Sequence, residues 1–168
     1  MEVGLFFTFS EYTALRLAQW MAKENARLHS LYPDLPLLYD SGIVYRREKA
    51  EKWMDYQHMI AQGHDDCDGL AAARVGEIMF YGVDAIQRGD PGYAAAKRLR
   101  PSRIKAECML KTRTKPGQHG IYHVLCRYRI GGRWYMDDPS ARLGMHGEWI
   151  DPIVLARWQD AGLNVKGG

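Results

Sequence analysis

The run YHVLCRYRIGGRWYMDD, residues 122–138, constrains the chain more than any other stretch. Its two halves alternate apolar and polar residues with a period of two, which reads as a pair of β-strands. They are joined by Gly131 and Gly132, a dipeptide suited to the positive φ values of a two-residue hairpin turn. Such a turn sets the register. Arg129 then opposes Trp134, Arg127 opposes Met136 and Leu125 opposes Asp138, and opposed side chains leave the same face of the sheet. Alternation places His123 on that face as well. Asp138 becomes its diagonal neighbour, at a Cβ separation of roughly 7 Å that a carboxylate and an imidazole can bridge. Asp137 points to the other face.

A third alternating run, Ile104 to Thr114, precedes the hairpin and predicts a three-stranded antiparallel sheet. The N-terminal half has helical spacing instead. Ala14, Leu17, Ala18, Met21, Ala22 and Leu28 define an amphipathic helix from Ser10 to about Ser30, closed by YPDLP. A short strand is expected over Gly42–Arg47, and a helical segment over Glu48–Gln62 that stops at Gly63. The next helix is expected from Cys67 to Phe80, a short one over Tyr93–Leu99, and a closing one over Glu148–Ala161. Helices followed by an antiparallel sheet make the class α+β.

With 168 residues, 46% of them apolar and 26% charged, the chain suits one domain over 1–168 with its own core. A net charge of +3 implies no polyanion partner unless the charge is concentrated locally. The N-terminus lacks the basic region of a signal peptide, and no run reaches the roughly 20 apolar residues of a membrane span. No membrane association and a cytoplasmic protein are therefore expected. Three irregularly spaced cysteines, Cys67, Cys108 and Cys126, argue against a disulfide framework.

Cys67 sits in GHDDCDGLAAARVGE, after a glycine, among three aspartates, where a helical pattern begins. Its surroundings suit a reactive thiol better than a core one. A helix N-terminus and a nearby imidazolium lower a thiol's pKa, and the thiolate is the nucleophile. His123 with Asp138 would supply the base and the group that orients it. The expectation is a Cys67, His123, Asp138 triad, with Asp65, Asp66 and Asp68 facing outward or capping the helix. The helix-start N–H of Cys67 is one oxyanion donor, and Gln62, Gln57 and Trp53 stand as candidates for the second.

These segments together, GHDDCDGLAAA, YHVLCRY and WYMDDPS, resemble the transglutaminase-like branch of the papain-like cysteine enzymes, in the same order and over residues 42–145. The resemblance is greatest to small bacterial and phage-encoded thiol peptidases. It implies a papain-like core with the catalytic helix packed on the antiparallel sheet. It also implies hydrolysis of a peptide or amide through a thioester, with no cofactor and no metal. Should the protein be phage-encoded, a virion or an infected cell is its setting. An amine acceptor would make the same triad a transglutaminase, and a cell-wall peptide substrate would make it an amidase.

Two other readings follow from the residues. HDDCDG has the look of a calcium loop, but Val75 stands where the bidentate glutamate is needed. A zinc set of His64, Cys67, His119 and His123 lacks any CxxC or HExxH element. The basic run over 97–115 (Lys97, Arg98, Arg100, Arg103, Lys105, Lys111, Arg113, Lys115) is a solvated face or the seat of an anionic partner. The latter suits a non-enzymatic virion or scaffold interaction protein with a vestigial triad. Cys108 and Cys126 are expected in the core.

Overall fold

The computed structural model describes residues 11–47, 53–113 and 121–145. Helix α1 runs over Glu11–Leu31, and a 3-10 turn over Leu38–Asp40 leads to β1 (Val44–Tyr45). Helix α2 (Tyr56–Gln62), β2 (His64–Asp65) and α3 (Cys67–Tyr81) follow. A second 3-10 turn (Gly82–Ala85) precedes α4 (Tyr93–Leu99), the strands β3 (Lys105–Arg113), β4 (Ile121–Ile130) and β5 (Arg133–Asp137), and the single turn α5 (Pro139–Arg142). The class is α+β. The expected closing helix over Glu148–Ala161 lies outside the described residues.

The hairpin register is the one the diglycine dictates. Arg129 pairs with Trp134 and Arg127 with Met136, across a turn in which Gly131 and Gly132 both have positive φ. The ladder ends one step early, at Cys126 opposite Asp137, so Leu125 and Asp138 are not a strand pair. Asp138 instead turns the chain into α5, its side chain accepting the Ala141 N–H at 3.1 Å while Pro139 takes the first helical position.

Two expectations at the N-terminal side were too long. The strand over Gly42–Arg47 shrinks to two residues, paired in parallel with β2. The helix before Gly63 starts only at Tyr56, because Asp55 caps it by accepting the His58 N–H at 3.0 Å. Gly63 ends it at φ 78°, the left-handed position glycine tolerates best.

Helix α3 is the centre of the molecule, and every residue from Asp68 to Ile78 is buried. On one side Ala71, Ala72, Val75 and Ile78 meet Ala18 and Ala22 of α1 and the inner sheet face of Cys108, Val124, Cys126 and Tyr128. On the other, Leu70 and Ala73 join Leu28, Leu38, Tyr56 and Met59. Burying Leu70, Val75 and Ile78 stabilises the fold by roughly 1.5–3 kcal/mol each. The close approach of α1 requires a glycine at 76. A Cβ there would stand 2.7 Å from the Asn25 Cβ and 2.8 Å from the Ala22 carbonyl oxygen. All three cysteines are free thiols, with Cys108 and Cys126 buried opposite each other on β3 and β4.

Candidate functional site

The strand-borne half of the predicted site forms directly. His123 Nε2 lies 3.0 Å from Asp138 Oδ2, and the imidazole is 3% exposed. Because an ionised carboxylate only accepts, Nε2 is the donor in this contact. Asp138 thus has two roles at once, capping α5 through Oδ1 and holding the imidazole through Oδ2.

The helix-borne half arrives at the same strand. Beyond Cys126, β5 has departed, and β4 is paired in the sheet with β3 alone. The N–H of Val124, the residue next to His123, donates a hydrogen bond to the Cys67 sulfur. The charges of Asp68, Asp66 and Asp138 also reach the thiol. The fold therefore brings the start of α3 to the part of β4 that carries His123. Tyr45 borders the same place, its phenol held protonated by burial and by the nearby Cys67, Asp66 and Asp138. Nothing in the GIVYRR segment distinguished it beforehand.

The thiol departs from expectation. Burial pushes Cys67 up to about 12, the carboxylates of Asp68, Asp66 and Asp138 push the same way, and the Val124 hydrogen bond opposes them. Nor do the aspartates all face outward. Asp65 and Asp68 are buried, and Asp68 accepts the Gly69 N–H at 2.7 Å. Asp66 occupies the N-cap position of α3 without a capping hydrogen bond from its side chain. A helix dipole competes with these nearer negative charges and with desolvation, and here it loses. The oxygens of Asp65, Asp66 and Asp68 come within 4.8 Å of one another, a cluster capable of holding a hard cation. The zinc set does not gather in the same way: Cys67 and His123 hold the partners just described, His64 Nδ1 faces Gln62 Nε2 at 3.0 Å, and His119 lies outside the described residues.

Of the candidate oxyanion donors, Gln62 spends its amide on His64, on the ring and on the carbonyl oxygen at 3.2 Å. Trp53 keeps a buried Nε1–H that has no hydrogen-bond partner among the described residues. It packs against the same core cluster as Cys67.

Asp137 goes to the other face, as the register required, and enters a network that the sequence did not disclose. Arg74, fully buried on α3, donates to Asp137 at 2.8 Å, to Glu77, to Asp90 and to the Ala85 carbonyl at 2.9 Å. Arg142 also reaches Asp90 and stacks 3.5 Å from the Tyr39 ring centroid. The Tyr39 hydroxyl donates to Asp137 at 2.8 Å, and Glu77 accepts the Leu38 N–H at 2.7 Å. Burial disfavours the charge on Arg74, but Glu77 and Asp90 outweigh it and hold the guanidinium well above its usual pKa. Burial raises Glu77 and Asp90 above the usual carboxylate range, against the pull of Arg74. Arg74 lies seven residues along the helix from Cys67, and AAARVGE itself supplies Glu77 one turn on, but it gives no sign of the two carboxylates, Asp90 and Asp137, arriving from elsewhere. No protein-family model, curated protein or solved structure matches this chain.

Proposed function

We propose that the protein is a thiol hydrolase of papain-like type, acting on a peptide or related amide through Cys67, His123 and Asp138. The observation that carries this reading is the hydrogen bond from the Val124 N–H to the Cys67 sulfur, on the strand position beside an imidazole already held by a carboxylate. Burial and three carboxylates keep the resting thiol protonated. The thiol proton passes to His123 Nδ1 as sulfur attacks the carbonyl carbon, and Asp138 stabilises the imidazolium. The imidazolium then protonates the leaving amine, and a thioester remains on Cys67. Water, deprotonated by the same ring, releases the acid and regenerates the thiol. The Cys67 N–H, at a helix start, and the unspent Trp53 indole N–H are the donors suited to the oxyanion. An amine in place of water would turn the same cycle into transglutamination, and a cell-wall peptide would make it an amidase reaction.

The test is a p-nitrophenyl ester burst followed by mass spectrometry of the trapped protein. A burst of one equivalent with an acyl group on Cys67, absent in His123→Ala, is the expected result. Acylation spread over surface lysines, unchanged in that variant, would refute the reading.

A second reading is a binding protein with a vestigial triad. It draws on one observation: burial pushes the thiol of core residue Cys108 up to about 12, the same value as Cys67. On that reading the basic run, exposed at Lys97, Arg98, Arg100, Arg103, Lys105 and Lys111, meets an anionic partner. The two readings share one fold and differ in whether His123 changes the reactivity of the sulfur.

A further inference from the structure

The basic run does not stay a run. Lys97 and Arg98 lie in α4, Arg100 at its end, Arg103 in the following loop, and Lys105 opens β3. The structure adds two cations from far along the sequence. Lys105 is directly opposite Arg129, which is opposite Trp134, in one row across the sheet. Arg133 begins β5 beyond the turn. The C-terminus of α4 sits against that turn, where a Cβ on Gly131 would stand 2.4 Å from Leu99 Cδ1, so helix and hairpin form one continuous pole.

Six of these cations, Lys97, Arg98, Arg100, Arg103, Arg129 and Arg133, are exposed, and none meets a carboxylate within ion-pair distance among the described residues. Lys105 and Arg127 share Glu107. Aromatic rings lie between the cations. Lys97 is 5.6 Å from the Tyr93 centroid, Lys105 and Arg127 are 5.4 and 4.7 Å from that of Trp134, and Arg133 is 5.5 Å from that of Tyr135. Arg100 holds φ 37°, the only positive φ at a non-glycine residue among those described. A cleft of about 310 Å³ is lined by Tyr93, Lys97 and Arg100, with Asp84 as the acid in its wall.

We propose that this pole binds the phosphate backbone of a nucleic acid without reading its sequence. The proposal rests on the anionic-partner reading and is independent of the thiol chemistry. Five of the six unpaired cations are arginines, whose planar forks match phosphate oxygens two at a time. A protein partner would need an apolar anchor at the centre of the contact, and the large exposed apolar side chains here are Leu99, resting on the turn, and Met136, at the margin opposite Arg127. What remains is charge spread over an exposed surface, the mode of contact that a phosphate backbone uses. The acids at this pole are Asp84 and Glu107, and the aspartate cluster lies toward the other end of β4. His123 is six residues from Arg129 along β4, about 20 Å at ~3.4 Å per residue. Asp65, Asp66 and Asp68 cluster near that end, with Arg46, Arg47 and Lys111 exposed around them, so the cations stand beside acids there and largely without them at the hairpin pole.

The experiment is fluorescence anisotropy of a labelled mixed-sequence DNA duplex with the full chain, at about 50 and 200 mM salt, the range over which backbone contacts weaken steeply. In parallel, poly-glutamate serves as the probe for an acidic polypeptide. Duplex binding that weakens at least tenfold over that range, and at least tenfold at low salt in Arg100→Gln/Arg103→Gln/Arg129→Gln/Arg133→Gln, is the expected result. Thermal melting of the variant checks that it folds. The Arg133→Gln single variant should lower the log–log salt slope by about 0.9. Poly-glutamate binding without duplex binding would overturn the nucleic-acid assignment and leave an anionic partner standing. Binding of neither probe would overturn both. Duplex binding unchanged in the folded quadruple variant would overturn this surface.

Discussion

Asp137 and Asp138 are consecutive, chemically identical, and placed in opposite circumstances by one residue of strand alternation. Asp137 is buried in the interior, where its carboxylate accepts from Arg74 and Tyr39. Asp138 stands at the end of the strand, accepting from a helix N-terminus and from an imidazole. The first closes a charge network that ties α3 to β5, the 3-10 turn at Leu38 and the loop at Asp90. The second leaves the ladder and is thereby available to a neighbouring side chain. Burial without departure from the strand makes a brace; departure leaves the carboxylate to a helix cap and an imidazole.

The sharpest way to break this contrast is Asp138→Asn. Removing the charge that orients and stabilises the imidazolium should lower the acylation rate by about 10³–10⁴. The melting temperature should fall little, since Asn also caps helices. A fall in acylation below tenfold would place the catalytic carboxylate elsewhere. Arg74→Met should be nearly as large in energy and opposite in kind. It strands Glu77, Asp90 and Asp137 in the interior and should cost about 3–5 kcal/mol of stability, measured by urea unfolding. Asp137→Asn keeps the volume and loses one charge of that network. A loss of about 2 kcal/mol is expected with acylation per folded molecule preserved within a few fold, a smaller effect than Arg74→Met because two carboxylates still face the guanidinium. Equal acylation losses in the two aspartate variants would mean that the face assignment is wrong.

A smaller effect concerns acid. His29 is fully buried between Tyr56, Phe80 and Tyr81, its nitrogens without hydrogen-bond partners among the described residues, and burial lowers its pKa from the ordinary 6.5. The unfolded chain then binds the proton more readily than the folded one, so this contribution is complete above about pH 6.5 and is lost as pH falls toward the folded value. The melting temperature of the wild type should drop between about pH 7 and 5, and His29→Phe should flatten that drop. A drop of the same size in both would assign it to other groups.

The sheet, its register and the faces of Asp137 and Asp138 were legible because a diglycine turn and a period of two are local facts. So were α3 and its start, since Gly63 and the alanine run sit beside each other in the chain. The His123–Asp138 contact followed from the register even though its last rung is missing. Illegible were the long-range meetings. Arg74 has Glu77 one turn along its own helix, but the carboxylates of residues 90 and 137 are brought to it only by the fold. The raised thiol pKa was missed for a related reason: the dipole of a helix start is visible in sequence, whereas burial and the direction in which Asp66 and Asp68 face are not. The basic pole was half legible, as a run from Lys97, and became a surface only when the hairpin brought Arg129 and Arg133 to it.

One measurement bears most directly on the thiol chemistry: the pH profile of iodoacetamide alkylation at each cysteine, by mass spectrometry, in the wild type and in His123→Ala. If the imidazole takes the proton from the sulfur, Cys67 reacts near neutral pH far ahead of Cys108 and Cys126. In the variant that lead vanishes and Cys67 reacts only as its own proton leaves, toward about 12. A Cys67 profile identical in the two proteins would contradict the account and leave the sulfur a passenger at the head of its helix.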